Sequence, residues 1–102
     1  MADRLDLQSE FEAILGSRNV YFNPPTSIRM RYPAIRYSLG SINTRFANNR
    51  TYRTVPSYEV TLIDENPDTE FLKPILQIPY CKFNRFYIAD ELNHWVFTIH
   101  NN

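Results

Sequence analysis

Residues 81–100 read CKFNRFYIADELNHWVFTIH, two aromatic and β-branched runs either side of Ala89-Asp90-Glu91-Leu92. Runs of this composition parted by a short polar turn predict a β-hairpin, with strands at 81–88 and 93–100. In the second strand Trp95, Phe97 and Ile99 share one face, and His94, Val96, Thr98 and His100 share the other. Working back along the chain, Tyr58, Val60 and Leu62 alternate with Glu59 and Thr61, which predicts a strand running to about Ile63. Further back, Ile28, Met30 and Tyr32 alternate with Arg29 and Arg31. Beyond Pro33 the apolar parity flips to Ile35, Tyr37 and Leu39, as a bulge or the join of two strand segments would make it do.

The other elements are helical. Leu7, Phe11, Ile14 and Leu15 lie at i, i+4, i+7 and i+8, one face of a helix expected over about 3–15, with Asp3 and Asp6 at its start and Gly16 at its stop. Asn66 and Pro67 read as an N-cap and first helical residue, with Phe71, Leu72, Ile75 and Leu76 following at helical spacing. Pro74 inside that pattern predicts a short or kinked helix, ended by Pro79. The sequence therefore predicts one α+β domain over 1–102, an antiparallel sheet with two helices packed on one side. Between the central strands lies GSINTRFANNRTYRT, residues 40–54, polar and with few apolar anchors. It reads as a long arm, either a loop or an extended hairpin, of the kind that often serves binding.

Charge is unevenly placed. Residues 13–58 hold seven arginines (Arg18, Arg29, Arg31, Arg36, Arg45, Arg50, Arg53) and no acid, whereas residues 1–12 carry −3 and residues 59–102 carry −4, so the formal net charge is zero. Opposite blocks of this kind can match one copy to another, or turn one sign towards an anionic partner. Aromatic residues make up 15% of the chain, more ring area than a thin core needs, so some is expected on a partner surface. The single Cys81 allows no internal disulfide, no charged-then-apolar leader opens the sequence, and no apolar run reaches membrane-spanning length. An intracellular site of synthesis and no membrane partner are expected.

Chemical machinery is sparse. His94 and His100 stand six apart on one strand, about 20 Å, too far to share an ion, and Cys81 with one His leaves a metal site short of ligands. A Cys81–His94 pair across the hairpin is the one nucleophilic arrangement to weigh. The paired carboxylates Asp64/Glu65 and Asp90/Glu91 lie in turns, and two glycines cannot build a phosphate-cradling loop. No enzyme activity, metal or cofactor is expected. Arginines interleaved with Tyr32, Tyr37, Phe46 and Tyr52 suit nucleic acid, but zero net charge and arginine rather than lysine favour a protein interface.

Several segments carry a resemblance: residues 16–22 (GSRNVYF) before Pro24-Pro25, Met30-Arg31-Tyr32-Pro33-Ala34-Ile35, Phe46-Ala47-Asn48-Asn49, residues 58–64 with Asn66-Pro67-Asp68, and Phe83-Asn84-Arg85-Phe86-Tyr87 with residues 89–94. Over roughly residues 10–100 the chain resembles the tail terminator and tail completion (head-tail joining) proteins of long-tailed bacteriophages. The resemblance implies a virion protein of the tail or neck, assembled in the host bacterial cytoplasm. It also implies a hexameric homo-oligomeric ring that caps the tail tube protein, docks the head connector, and lets genomic DNA pass without specific binding. Expected interface residues are Arg29, Arg31, Arg45, Phe46, Arg50, Tyr52 and Arg53 on the basic side and Asp64, Glu65, Asp68 and Glu70 on the acidic side. The alternatives are another neck or completion ring protein, or a small nucleic-acid-binding domain.

Overall fold

The computed structural model describes residues 4–25, 29–47 and 50–100, the side chains at 41 and 43–55 excepted. Its elements are α1 (Arg4–Leu15), β1 (Val20–Phe22), β2 (Ala34–Ala47), β3 (Arg50–Asp64), α2 (Leu72–Leu76), β4 (Cys81–Ala89) and β5 (Leu92–His100). The five strands form one sheet in the order β1-β2-β3-β5-β4. The α+β class and the two helices are as the sequence predicts. The sheet is antiparallel except at one edge, where β1 runs parallel to β2.

α1 forms because its apolar stripe has a sheet to face: Leu7, Phe11 and Leu15 are buried, and Ile14 packs beside them. Gly16, at φ 69°, ends the helix, and its N–H donates to the Glu12 carbonyl at 2.9 Å. The stripe meets Ile35 and Tyr37 of β2, Tyr58, Val60 and Leu62 of β3, and Trp95, Phe97 and Ile99 of β5, joined by Ile75 and Ile78 from the α2 region. A polar pin holds helix to sheet. The buried Tyr37 hydroxyl donates to Gln8 Oε1 at 2.7 Å and accepts from Arg4 Nη1 at 3.3 Å, while the Arg4 guanidinium sits 4.4 Å over the Phe22 ring. Burial pushes the Tyr37 phenol above its ordinary pKa, with Arg4 opposing the shift. On the other face of the sheet Ala34, Ile63 and Val96 are also buried.

Three sequence expectations are corrected. The arginine-bearing alternation before Pro33 is not a strand: residues 29–33 lie outside any ladder, and β2 begins at Ala34. Pro33 has no N–H to give a ladder, so pairing starts after it, and the parity flip marks the entry to the strand. Ile28 lies outside the described residues. Residues 20–22, read as part of no element, form β1 instead; the Ile35 N–H donates to the Asn19 carbonyl and the Asn23 N–H to the Tyr37 carbonyl, each at 3.0 Å. Asn66 does not cap α2. Its Oδ1 accepts from the Asp68 N–H at 2.9 Å, and Asp64 Oδ1 accepts from the Asn66 N–H at 3.1 Å, so residues 64–68 fold as successive Asx turns. Helix α2 starts later, at Leu72, with Pro74 in its first turn, where an N–H has no helical partner.

The segment at 40–54 resolves into the hairpin alternative. β2 and β3 pair from Ala34↔Ile63 out to Ala47↔Arg50, with register shifts between Leu39 and Ser41 and between Arg45 and Phe46. β1 pairs β2 only at residues 35–37, and β5 pairs β3 only from Ser57 onward. Past those points, among the described residues, the two strands pair with each other alone as a two-stranded arm. It lengthens the molecule to 51 × 29 × 23 Å and raises the radius of gyration to 14.7 Å, where a compact chain of this length has about 13 Å.

The β4–β5 hairpin is as the sequence predicts, closed by Asp90 and Glu91 between Ala89 and Leu92. Both turn residues have positive φ, 53° and 63°. Left-handed backbone costs a side-chain-bearing residue about 1–2 kcal/mol, less for Asp than for Glu. Glu91→Gly is therefore expected to stabilise the protein by about 1 kcal/mol, read as a higher urea midpoint. An unchanged or lower midpoint would mean that the turn does not hold this conformation.

Candidate interaction surface

The sheet sorts the predicted interface residues into two ends. β3 has 15 residues, a span of about 50 Å, with the arm at its start and the acidic turn at its finish. Arg45, Phe46, Arg50, Tyr52 and Arg53 all fall on the arm strands; their side chains lie outside the described residues, but the backbone register is defined. Arg45 stands directly opposite Arg53, and Arg50 opposite Ala47. Like charges at directly opposed positions repel, so this arrangement is unfavourable until an anionic group meets it.

At the far end of β3, Glu65, Asp68 and Glu70 are exposed. Asp64 differs: it is 9% exposed and holds the turn through Asn66, while its carbonyl accepts from Asn93 Nδ2 at 3.2 Å. It belongs to the fold more than to a surface. The structure adds two acids that the sequence reading assigned only to a solvated turn. Asp90 and Glu91 line an open pocket of about 530 Å3 with Glu65, Tyr32 and Leu92. They arrive there because Asp64 pairs with Asn93, next to the β4–β5 turn. Arg29 and Arg31 are exposed and precede β2; the Arg31 N–H donates to Tyr21 Oη at 3.3 Å. They are separate from the arm in the chain's path.

A second feature escaped the sequence reading. On edge strand β4 the register shift between Phe83 and Arg85 bulges the chain at Asn84, whose side chain donates to Thr98 Oγ1 at 2.6 Å. Phe83 opposite Phe97 and Phe86 opposite Trp95 consequently share the helix-side face, although three residues apart in sequence. Each packs one side on the core, Phe83 at 5.6 Å from the Phe97 ring and Phe86 at 5.4 Å from Trp95. Their outer sides are bare, at 44% and 45% exposure, with Ile88 at 65%, Tyr80 at 63% and Leu76 at 42%. Phe83, Phe86 and Ile88 share one face by register, and apolar surface gathered in this way marks an interaction site more often than isolated exposed residues do.

The other candidate chemistry separates in space. Cys81 pairs with Ile99 and His94 with Tyr87, six positions apart along β4 and on opposite faces of the sheet, so the two do not form a nucleophile–base pair. His94 stacks on Tyr87 at 4.6 Å and shares its Nδ1 proton with the Leu92 carbonyl at 3.0 Å. Burial pushes the Cys81 thiol up to about 11. At pH 8 such a shift cuts the thiolate fraction about a hundredfold. Alkylation of Cys81 by iodoacetamide at pH 8 is expected to run about a hundredfold slower in the native protein than in urea, climbing with pH towards 11. Equal rates in the two states would show a thiol that is not buried. Among the described residues no group of three His, Cys, Asp or Glu side chains is placed to hold a metal, and no helix is long and apolar enough to cross a membrane.

No family model, curated protein or solved structure matches the chain.

Proposed function

We propose that the chain is a structural virion subunit of a tailed bacteriophage, a tail terminator or related neck protein that assembles as a ring of about six copies. The ring caps the tail tube, meets the head connector and leaves an open path for the genome. The resemblance of its sequence motifs supports the phage assignment. One observation supports head-to-tail assembly: a basic arm and an acidic turn cluster stand at opposite ends of the same 15-residue strand. A subunit whose two ends differ and complement each other associates through a heterologous contact, and such contacts close into rings when the rotation permits. Opposite charges drive the match, so salt weakens it.

The test is the mass of the purified protein by light scattering at low and high salt. A species of about six subunits at low salt, falling towards the monomer as salt rises, is the expected result. A monomer at every salt concentration, together with tight and steeply salt-dependent DNA binding, would replace this reading with that of a small nucleic-acid-binding domain.

A further inference from the structure

The geometry points to the seat of that contact: the basic arm of one copy lies along edge strand β4 of the next, over Phe83, Phe86 and Ile88. The inference rests on the ring reading and specifies its interface.

β4 is prepared for such an occupant. It is the outer strand of the sheet, so one side of its ladder has no partner among the five strands. Its charged residues Lys82 and Arg85 fall, by register, on the face away from the helices. The helix-side face carries Cys81, Phe83, Phe86 and Ile88, and α2 is too short to cover it. The two phenylalanine rings are held by Phe97 and Trp95, so the surface is ordered before anything binds and loses little freedom on docking. Edge strands that carry uncovered apolar residues invite another chain.

The arm is the matching piece. Among the described residues its strands pair only with each other beyond residues 37 and 57, which leaves one ladder side of each without a strand partner there. Pairing with β4 would extend the neighbour's sheet by strand addition, a mode in which main-chain bonds supply affinity and side chains supply register. On the helix-side face of the arm, Leu39 and Ile42 are 47% and 53% exposed, apolar surface that would continue the Phe83–Phe86 strip. Charge fixes the direction. Arg45 and Arg53 are opposed on the arm and fall, by register, on the same face as Lys82 and Arg85, so the arm tip is directed past those cations to the end of β4, where Asp90 and Glu91 are exposed beside Glu65. Those acids relieve the repulsion that the arm carries when free. Because arm and seat are different surfaces, each copy uses both, once as donor and once as acceptor.

Two single-cysteine proteins test this in a Cys81→Ser background: Thr44→Cys on the arm and Asn84→Cys on β4. Mixed at low salt and treated with a short bis-maleimide, they are expected to give predominantly the mixed cross-linked dimer. Phe86→Asp and Ile88→Glu, at half-exposed positions, are each expected to weaken assembly at least tenfold while leaving circular dichroism unchanged. Cross-links of arm to arm or β4 to β4 would overturn the inference. Rings that persist in both charge variants without the mixed cross-link would overturn it too, and leave the ring reading standing. An unaltered chain that stays monomeric at low salt removes both.

Discussion

Phe11→Ala is expected to remove about 3–5 kcal/mol of stability, the usual cost of truncating a buried phenylalanine that leaves a cavity. Phe11 is 0% exposed and occupies the middle of the α1 stripe, its ring 5.4 Å from Tyr37 in an edge-on contact. That contact is lost along with the burial, and of the buried stripe of α1 only Leu7 and Leu15 are left, beside Ile14 and the Arg4–Gln8–Tyr37 pin. A domain of this size has about 5–15 kcal/mol in total, so the loss takes a large share of it. Trp95 is the only tryptophan and is 6% exposed, which makes its fluorescence a direct reporter in a urea titration. Leu5→Ala on the same helix is the control: Leu5 is 61% exposed, and its change should stay within about 0.5 kcal/mol. If Phe11→Ala cost no more than Leu5→Ala, the helix would not be docked where the structure places it.

The elements legible in the sequence are those with apolar residues repeating at a fixed period on the face that meets the helices. The α1 stripe, the alternation of Tyr58, Val60 and Leu62, and the Trp95, Phe97 and Ile99 face of β5 all meet one core, and their spacing shows them. β1 is different. Three residues carry no period, and Val20–Phe22 becomes a strand only because β2 arrives alongside it, its Ile35 N–H donating to the Asn19 carbonyl and its Tyr37 carbonyl accepting from the Asn23 N–H. The false strand before Pro33 fails for the opposite reason, since alternation without a neighbour to pair with is only a pattern. At 66–68, a local side-chain hydrogen bond competed with the helix cap and won.

Half of the surface could be read in advance. The arm's charge is visible in the sequence because no acid interrupts residues 13–58, but its strand character is not, since residues 40–54 carry no apolar alternation. The apolar strip on β4 was hidden by one residue. Counting by twos puts Phe83 and Phe86 on opposite faces, and the bulge at Asn84 brings them together. The aromatic excess signalled that rings would be exposed; only register could say which. Asp90 and Glu91 needed still more, because their nearness to Glu65 depends on the pairing of β3 with β5.

Replacing residues 40–57 by Asn-Gly, which joins Leu39 to its partner Tyr58 by a short turn, is expected to separate folding from assembly. Of the side chains described in that stretch, Ile42 is exposed and only Ser57 is buried, and the ladder from Ala34↔Ile63 to Leu39↔Tyr58 is kept, so the body should keep its stability to within about 1 kcal/mol, with a shorter connection to close. The radius of gyration by X-ray scattering of the monomer in high salt should fall from 14.7 Å towards about 12 Å, the value for a compact chain of the shortened length. Self-association should weaken at least about a hundredfold, equivalent to about 2.7 kcal/mol, because three arginines and two ladder edges leave together. Triple replacement of Arg45, Arg50 and Arg53 by Gln removes charge but keeps the strands, so it should fall between the shortened chain and the unaltered one and lose most of its salt dependence. A shortened chain that folds and still assembles would place the contact on the body alone. A shortened chain that does not fold would mean that the arm strands carry stability as well as charge.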